Sequence, residues 1–248
     1  MITRPVTISL ETYATLLDKE NLGDPHTTLV GGSRWYPPEV RQQRDVRVLR
    51  ELTDQGLTSG NRASDDFRDT LVTMQRPAVE YYTIASIDGT TTTIRAAAHG
   101  RDALLITSHG EQIEIAPIPA EQMGARLAAA LPTVPAARVH SMSCDPADLD
   151  AAEKGEAFGS DASSRDAKRM KRFLDQDRSA AGQLYAAIRD GHGRRYVNRT
   201  PVPFWLDTTE AGRALLSPTE GGWITLIGAD VMTIANKLSE LENSLRGR

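Results

Sequence analysis

The chain has one cysteine, Cys144, in 248 residues. No disulfide can therefore close within it, and no zinc site can draw two thiolates from it. Apolar runs are short, and none approaches the roughly 20 residues of a membrane-spanning helix. The N-terminal MITRPVTISLETY also lacks the apolar stretch of a signal peptide. These absences lead to the expectation of a soluble cytoplasmic protein. Basic residues are not in excess: 29 Lys and Arg face 33 Asp and Glu, a net charge of −4. That balance argues against general affinity for nucleic acid.

Signatures of catalysis are missing too. There is no Walker loop, no HExxH and no GxSxG, and Gly31-Gly32-Ser33-Arg34 lacks nucleophile-elbow spacing. Gly191-His192-Gly193-Arg194 is half a dinucleotide fingerprint, without its third glycine and without a helix to open. His99 and His109 each precede a glycine, which suits turns, and a sheet would hold them about 20 Å apart. Cys144 and His140 have helical spacing, but Val139 to Ser143 reads as extended. The acids between 145 and 156 lack EF-hand spacing and read as a solvated loop rather than a calcium site. The expectation is a protein with no catalytic residues, no metal ligands and no cofactor.

What is present is a foldable pattern. The chain is 40% hydrophobic, too apolar for disorder throughout. At this length folding buries roughly 70% of the unfolded surface. Leu10, Tyr13, Leu16 and Leu17 form a helical stripe after Ser9, a candidate N-cap. A second helix is expected from Pro37-Pro38 to Gly56, with Val46, Leu49 and Leu52 buried and Arg41, Arg44 and Arg47 wet. Ser64 is expected to cap a third helix carrying Phe67 and Leu71, ending at Pro77. Residues 79–87, 91–98, 103–108 and 111–116 then read as an antiparallel meander, with Asp88-Gly89 at the first turn. A helix with Met123, Leu127 and Leu131 follows Pro119.

The second half repeats the order. A short strand is expected at 138–143. Residues 145–161 hold six acids, and 165–178 hold six bases and three acids. The stretch 154–164 reads as a mobile loop, and the basic part reads as a helix containing Met170, Phe173 and Leu174. Strands are expected at 183–189, 195–207, 213–216 and 222–228. Pro201 and Pro203 assign the second of these to an edge or a bulge. A last helix from Asp230 carries Val231, Ile234, Ala235, Leu238, Leu241 and Leu245. The predicted class is α+β in a single domain, 1–248, with halves of about 1–137 and 138–248.

In order and spacing these elements resemble the EspG family of type VII (ESX) secretion-associated proteins. The resemblance runs from the Leu10/Tyr13/Leu17 helix through Leu22-Gly23, Pro25, Leu29 and the Glu39 helix. It continues with Leu49, Leu52 and Gly56-Leu57, then Leu71 before Pro77. Its most specific part is Trp205-Leu206-Asp207-Thr208 followed by Gly212-Arg213, preceded by Arg194-Arg195. It covers about 8–245. The resemblance implies a central antiparallel sheet with quasi-twofold halves and flanking helical bundles. It also implies a cytoplasmic chaperone that binds PE–PPE heterodimers before export, with no membrane insertion, nucleic acid or small-molecule substrate. The rivals are an α+β enzyme or small-molecule binder, and a regulatory scaffold. For the contact surface, Trp205 and Pro203 on the alternating segment 202–207 are the candidates, the competing reading being that Trp205 is core on the other sheet face.

Overall fold

A computed structural model describes residues 1–29, 37–155, 162–219 and 221–247. The first half runs β1 (Val6–Ser9), α1 (Leu10–Lys19), α2 (Pro38–Asp54), a small hairpin β2 (Thr58–Ser59) and β3 (Arg62–Ala63), and α3 (Asp65–Gln75). The meander β4 (Val79–Ile87), β5 (Thr90–His99), β6 (Asp102–His109) and β7 (Gln112–Pro119) follows, then α4 (Met123–Ala129). The second half runs β8 (Met142–Cys144), α5 (Pro146–Lys154), α6 (Ala162–Leu174), β9 (Arg178–Arg189) and β10 (Arg195–Val197). It ends with β11 (Phe204–Thr208), β12 (Gly212–Pro218), β13 (Ile224–Gly228) and α7 (Val231–Arg246).

All the long strands join one antiparallel sheet, ordered β1-β7-β6-β5-β4-β9-β11-β12-β13-β8, with β10 beside β9. β4 and β9 pair antiparallel at the centre, Val79 opposite Ile188 through Ile87 opposite Ala180. Each side of that seam carries the same succession of strands, which gives the quasi-twofold arrangement. On one face α4 and α7 pack together over the seam, with Leu127, Ile234 and Leu238 in a core that includes Trp205. Gly124 permits the approach, because a Cβ there would lie 3.2 Å from the Ala235 carbonyl oxygen. On the other face the cover is split. Helices α1–α3 pack on β5–β7 through Leu17, Phe67, Leu104 and Ile106, and α5–α6 pack on the far strands through Met170, Phe173 and Leu226.

Local chemistry explains the elements. The Ser9 side chain accepts from the Thr12 N–H, and Ser64 from that of Phe67. Helix α2 ends in a Schellman turn, with Leu57 N–H bonded to the Leu52 carbonyl and Gly56 at φ 67°. Asp88 and Gly89 both take positive φ in the first meander turn, as a type I′ hairpin requires. His99 and His109 each end a strand just before a positive-φ glycine, which is turn duty. The outer strands are short, and a carboxylate occupies an outward N–H on each. Ser9 N–H donates to Glu51 of α2 at 2.5 Å, and Ser143 N–H to Asp166 of α6 at 3.0 Å.

Several expectations need correction. The buried stripe of α2 is Val48 and Leu52, whereas Val46 is 56% exposed. The short strand begins at Met142 rather than 138. The acidic stretch after it is helical, because Asp145 caps α5 by accepting from Ala147 N–H and Pro146 fills the first turn. Of the expected mobile loop, Lys154 and Gly155 close α5 and 162–164 open α6. The remainder, with Gly159 and Ser160, lies outside the described residues, as does Gly31-Gly32-Ser33-Arg34. The proline-bearing segment is not an edge: β11 lies between β9 and β12. Both prolines precede its ladder, so neither interrupts it, and Pro203 contributes only a carbonyl, accepting from Leu184 N–H at 2.9 Å. The register of β11 against β9 shifts later, between Asp207 and Thr208.

Candidate protein-docking site

The alternation expected along 202–207 is present, and it places Trp205 and Pro203 inside. Trp205 is fully buried and points to the α4/α7 face. Its indole Nε1 donates to Thr83 Oγ1 at 3.0 Å, and the Arg213 guanidinium lies over its ring at 5.1 Å. Pro203 is buried as well. An internal strand leaves neither side chain a surface for a partner, so in this fold Trp205 has the core position rather than the contact position.

The other residues of that stretch are architectural too. Arg213 grips Asp207 with two bonds of 2.7 Å, both partners being almost wholly buried, and donates a third to the Pro132 carbonyl. Removing one partner of such a pair costs about 3–5 kcal/mol, because the other is left as a lone buried charge. Gly212 and Gly228 let the linker between the halves lie against the sheet. A Cβ at Gly228 would sit 2.0 Å from the Ala137 carbonyl oxygen, and one at Gly212 would sit 2.5 Å from that of Pro135.

Cys144 is fully buried, 4.0 Å from the Met170 sulfur, and burial raises its thiol to about 11, with Asp148, Asp166 and Asp145 adding to the rise. That is a thiol kept protonated, the opposite of an activated nucleophile. His140 is exposed in the irregular segment before β8. Among the described residues, no cluster of three or more His, Cys, Asp or Glu could hold a metal ion. Hollows of about 290 to 480 Å3 lie over the surface. The most apolar of these, about 450 Å3, lies between α1 and α2 and is floored by Leu16, Leu49 and Leu52.

The exposed part of the sheet is the strip between the two helical bundles. On that face Ile84 stands opposite Thr93 on one side and Gln183 on the other, with Phe204 next across. Ile84 is 37% exposed, Gln183 and Ser86 are exposed, and Tyr185 and Phe204 are half-buried. A β-branched apolar residue open to solvent at the centre of an eleven-stranded sheet is a position where a partner could add cover. At one end of the strip the half-buried Tyr185 stacks on the buried Tyr82, centroids 4.7 Å apart and planes within 10°.

Behind Tyr82 lies a charge cluster that the sequence reading did not single out. Glu80 is buried on β4, and Arg95, Arg195 and His26 converge on it. Burial alone would raise the Glu80 carboxyl, but the guanidinium charges of Arg95 and Arg195 outweigh it and hold it below the ordinary range. Burial, reinforced by Arg95, pushes His26 down to about 3, so its ring is neutral. The available signal was an acid within an otherwise β-rich run, Val-Glu-Tyr-Tyr-Thr-Ile, but nothing in the spacing pointed to its partners.

The fold and this strip define an α+β protein built on one large antiparallel sheet, with a face open between two helical bundles. A model of the EspG family matches residues 9–240, and the chain belongs to that family. Among solved structures it is similar to the type VII secretion system chaperone EspG5 of Mycobacterium tuberculosis, determined in complex with a PE25–PPE41 dimer. The TM-score is 0.67 at 15% identity, covering 96% of each chain. No curated protein matches the chain. No helix among the described residues is long and apolar enough to cross a membrane.

Proposed function

We propose that this chain is a cytoplasmic chaperone of a type VII (ESX) secretion system. It binds a PE–PPE-type heterodimer at an apolar helical tip, keeps it soluble for export and catalyses no reaction. The observation that carries the reading is membership of the EspG family across nearly the whole chain, on the fold of a chaperone solved with such a dimer. The open strip around Ile84 supports it, since covering exposed apolar surface is what suppresses self-association. The chain works as one unit, with halves of about 1–137 and 138–248 meeting at the β4–β9 seam. Trp205 and Pro203 serve this reading from within, by fixing the strand that borders the strip.

Affinity capture of the tagged chain from its native cytoplasm tests the proposal. Recovery of a PE–PPE pair is the expected result, with recovery reduced by Ile84→Glu while the melting temperature of the variant stays near that of the unaltered chain. Capture that yields no such pair, or a pair equally well held by Ile84→Glu, rejects respectively the partner or the face.

A further inference from the structure

The Glu80 cluster spans the two halves. Glu80 Oε2 accepts from Arg95 Nε at 2.6 Å, and Oε1 accepts from Arg195 Nε at 2.5 Å. His26 Nε2 lies 3.4 Å from Oε2 and 3.1 Å from Arg195 Nη2. His26 belongs to the segment after α1, whereas Arg195 opens β10, 169 residues later. Both also hold the Tyr82 ring: His26 meets it edge-on at 5.3 Å, and the Arg195 guanidinium lies over it at 5.7 Å. Tyr82 in turn stacks on Tyr185, whose hydroxyl donates to Gln183 at 2.6 Å. A chain of contacts thus runs from one buried carboxylate to the exposed strip.

The halves do not need this cluster to stay joined, because β4 and β9 already pair along nine residues. Apolar side chains of similar volume generally serve cohesion as well as buried ions do. What the ladder leaves unfixed is the segment around His26 and the three-residue β10, which pairs only with β9.

We propose that Glu80 is a positioning residue for partner docking: it clasps Arg195, which meets His26 at 3.1 Å and with it frames Tyr82, so that the Tyr82–Tyr185 ledge, with Ile84 and Gln183 beside it, is set in place before an apolar helical tip arrives. The inference rests on the chaperone reading above. A pre-set face raises the fraction of molecules competent to bind, and apparent affinity scales with that fraction.

The test uses the full chain and a purified PE–PPE pair. Glu80→Gln removes the clasp, and Arg195→Gln removes one arm of it should Glu80→Gln not fold. Leu226→Ala, in the core under α5–α6, is the control for stability loss alone. Binding kinetics are measured at a temperature where every variant is folded, together with hydrogen exchange. Glu80→Gln, or Arg195→Gln in its place, is expected to weaken binding about tenfold, mostly through association. Exchange should rise together in 24–29 and 195–197 but not in β12 and β13. Leu226→Ala should stay within about twofold of the unaltered chain, as a distant, independent site. Unchanged affinity in the clasp variants, an equal loss in Leu226→Ala, or exchange that rises uniformly overturns the positioning role. An unaltered chain that does not bind the pair overturns the chaperone reading and the docking role with it, whereas binding that is indifferent to the clasp overturns the inference alone.

Discussion

Replacing Trp205 with alanine is expected to destabilise the fold severely while leaving partner contact untouched. The indole is fully buried between β9 and β12 beneath α7. Emptying such a site costs about 3–5 kcal/mol, from lost transfer energy and the cavity left behind. The Nε1–H bond to Thr83 adds to this: Thr83 is fully buried and keeps an oxygen with one partner fewer, about 1 kcal/mol. The Arg213 guanidinium also loses the ring beneath it. A total of about 4–6 kcal/mol lowers the melting temperature of a chain this long by roughly 10–20 °C. Trp205→Phe keeps most of the volume and loses the donor, so about 1–2 kcal/mol is expected. Thermal unfolding by circular dichroism reads both, with binding to a PE–PPE pair measured well below the transitions. A drop of only a degree or two for the alanine variant, accompanied by lost binding, would refute the reasoning and return Trp205 to the contact surface.

Three further outcomes follow from the same geometry. His26 is neutral in the fold at a pKa of about 3 but titrates near 6.5 when unfolded. The unfolded chain therefore takes up a proton that the fold refuses. This contribution is complete above about pH 6.5 and declines as pH falls toward 3, by up to about 1.4 kcal/mol per pH unit. Urea midpoints from pH 7 to 4 should fall more steeply in the unaltered chain than in His26→Gln, and parallel slopes would count against it. Cys144 should react with an aromatic disulfide reagent only as fast as the protein opens, and Cys144→Ser should cost about 1–2 kcal/mol; immediate labelling of the native protein would contradict its burial. Gly228→Ala, whose new methyl would strike the Ala137 carbonyl, should cost about 3 kcal/mol or more, and a variant that melts like the unaltered chain would show that the linker moves aside freely.

Much of the fold was legible because its signals are local. Ser9 and Ser64 cap helices, Asp88-Gly89 turns a hairpin, and the stripe from Ile234 to Leu245 buries one side of α7. What escaped depends on which strands meet. A proline before a strand and a proline within it look alike in sequence, so Pro201 and Pro203 suggested an edge or a bulge, where β11 is internal and both prolines precede its ladder. Val46 and Val48 differ by half a helical turn, and only the position of α1 decides which is covered. The acids after Cys144 looked like a solvated loop because the capping role of Asp145 is a single contact among many charges. The site was harder still. Trp205 stood out by size and Glu80 did not, yet the exposed strip and its support depend on β4 lying beside β9, a pairing across a hundred residues that no local pattern encodes.

Glu51 and Asp166, each seated on a backbone donor of an outermost strand, bear on how a complex can be built. An open sheet edge invites another strand, and strand upon strand yields a growing ribbon without fixed composition. Here a carboxylate already occupies a donor on each flank, so an approaching strand would meet negative charge where it needs a free N–H. Growth sideways is disfavoured at both flanks, whereas the face between the helical bundles carries no such guard. An eleven-stranded sheet flanked in this way is guarded at both ends against the strand-by-strand extension that an open edge invites.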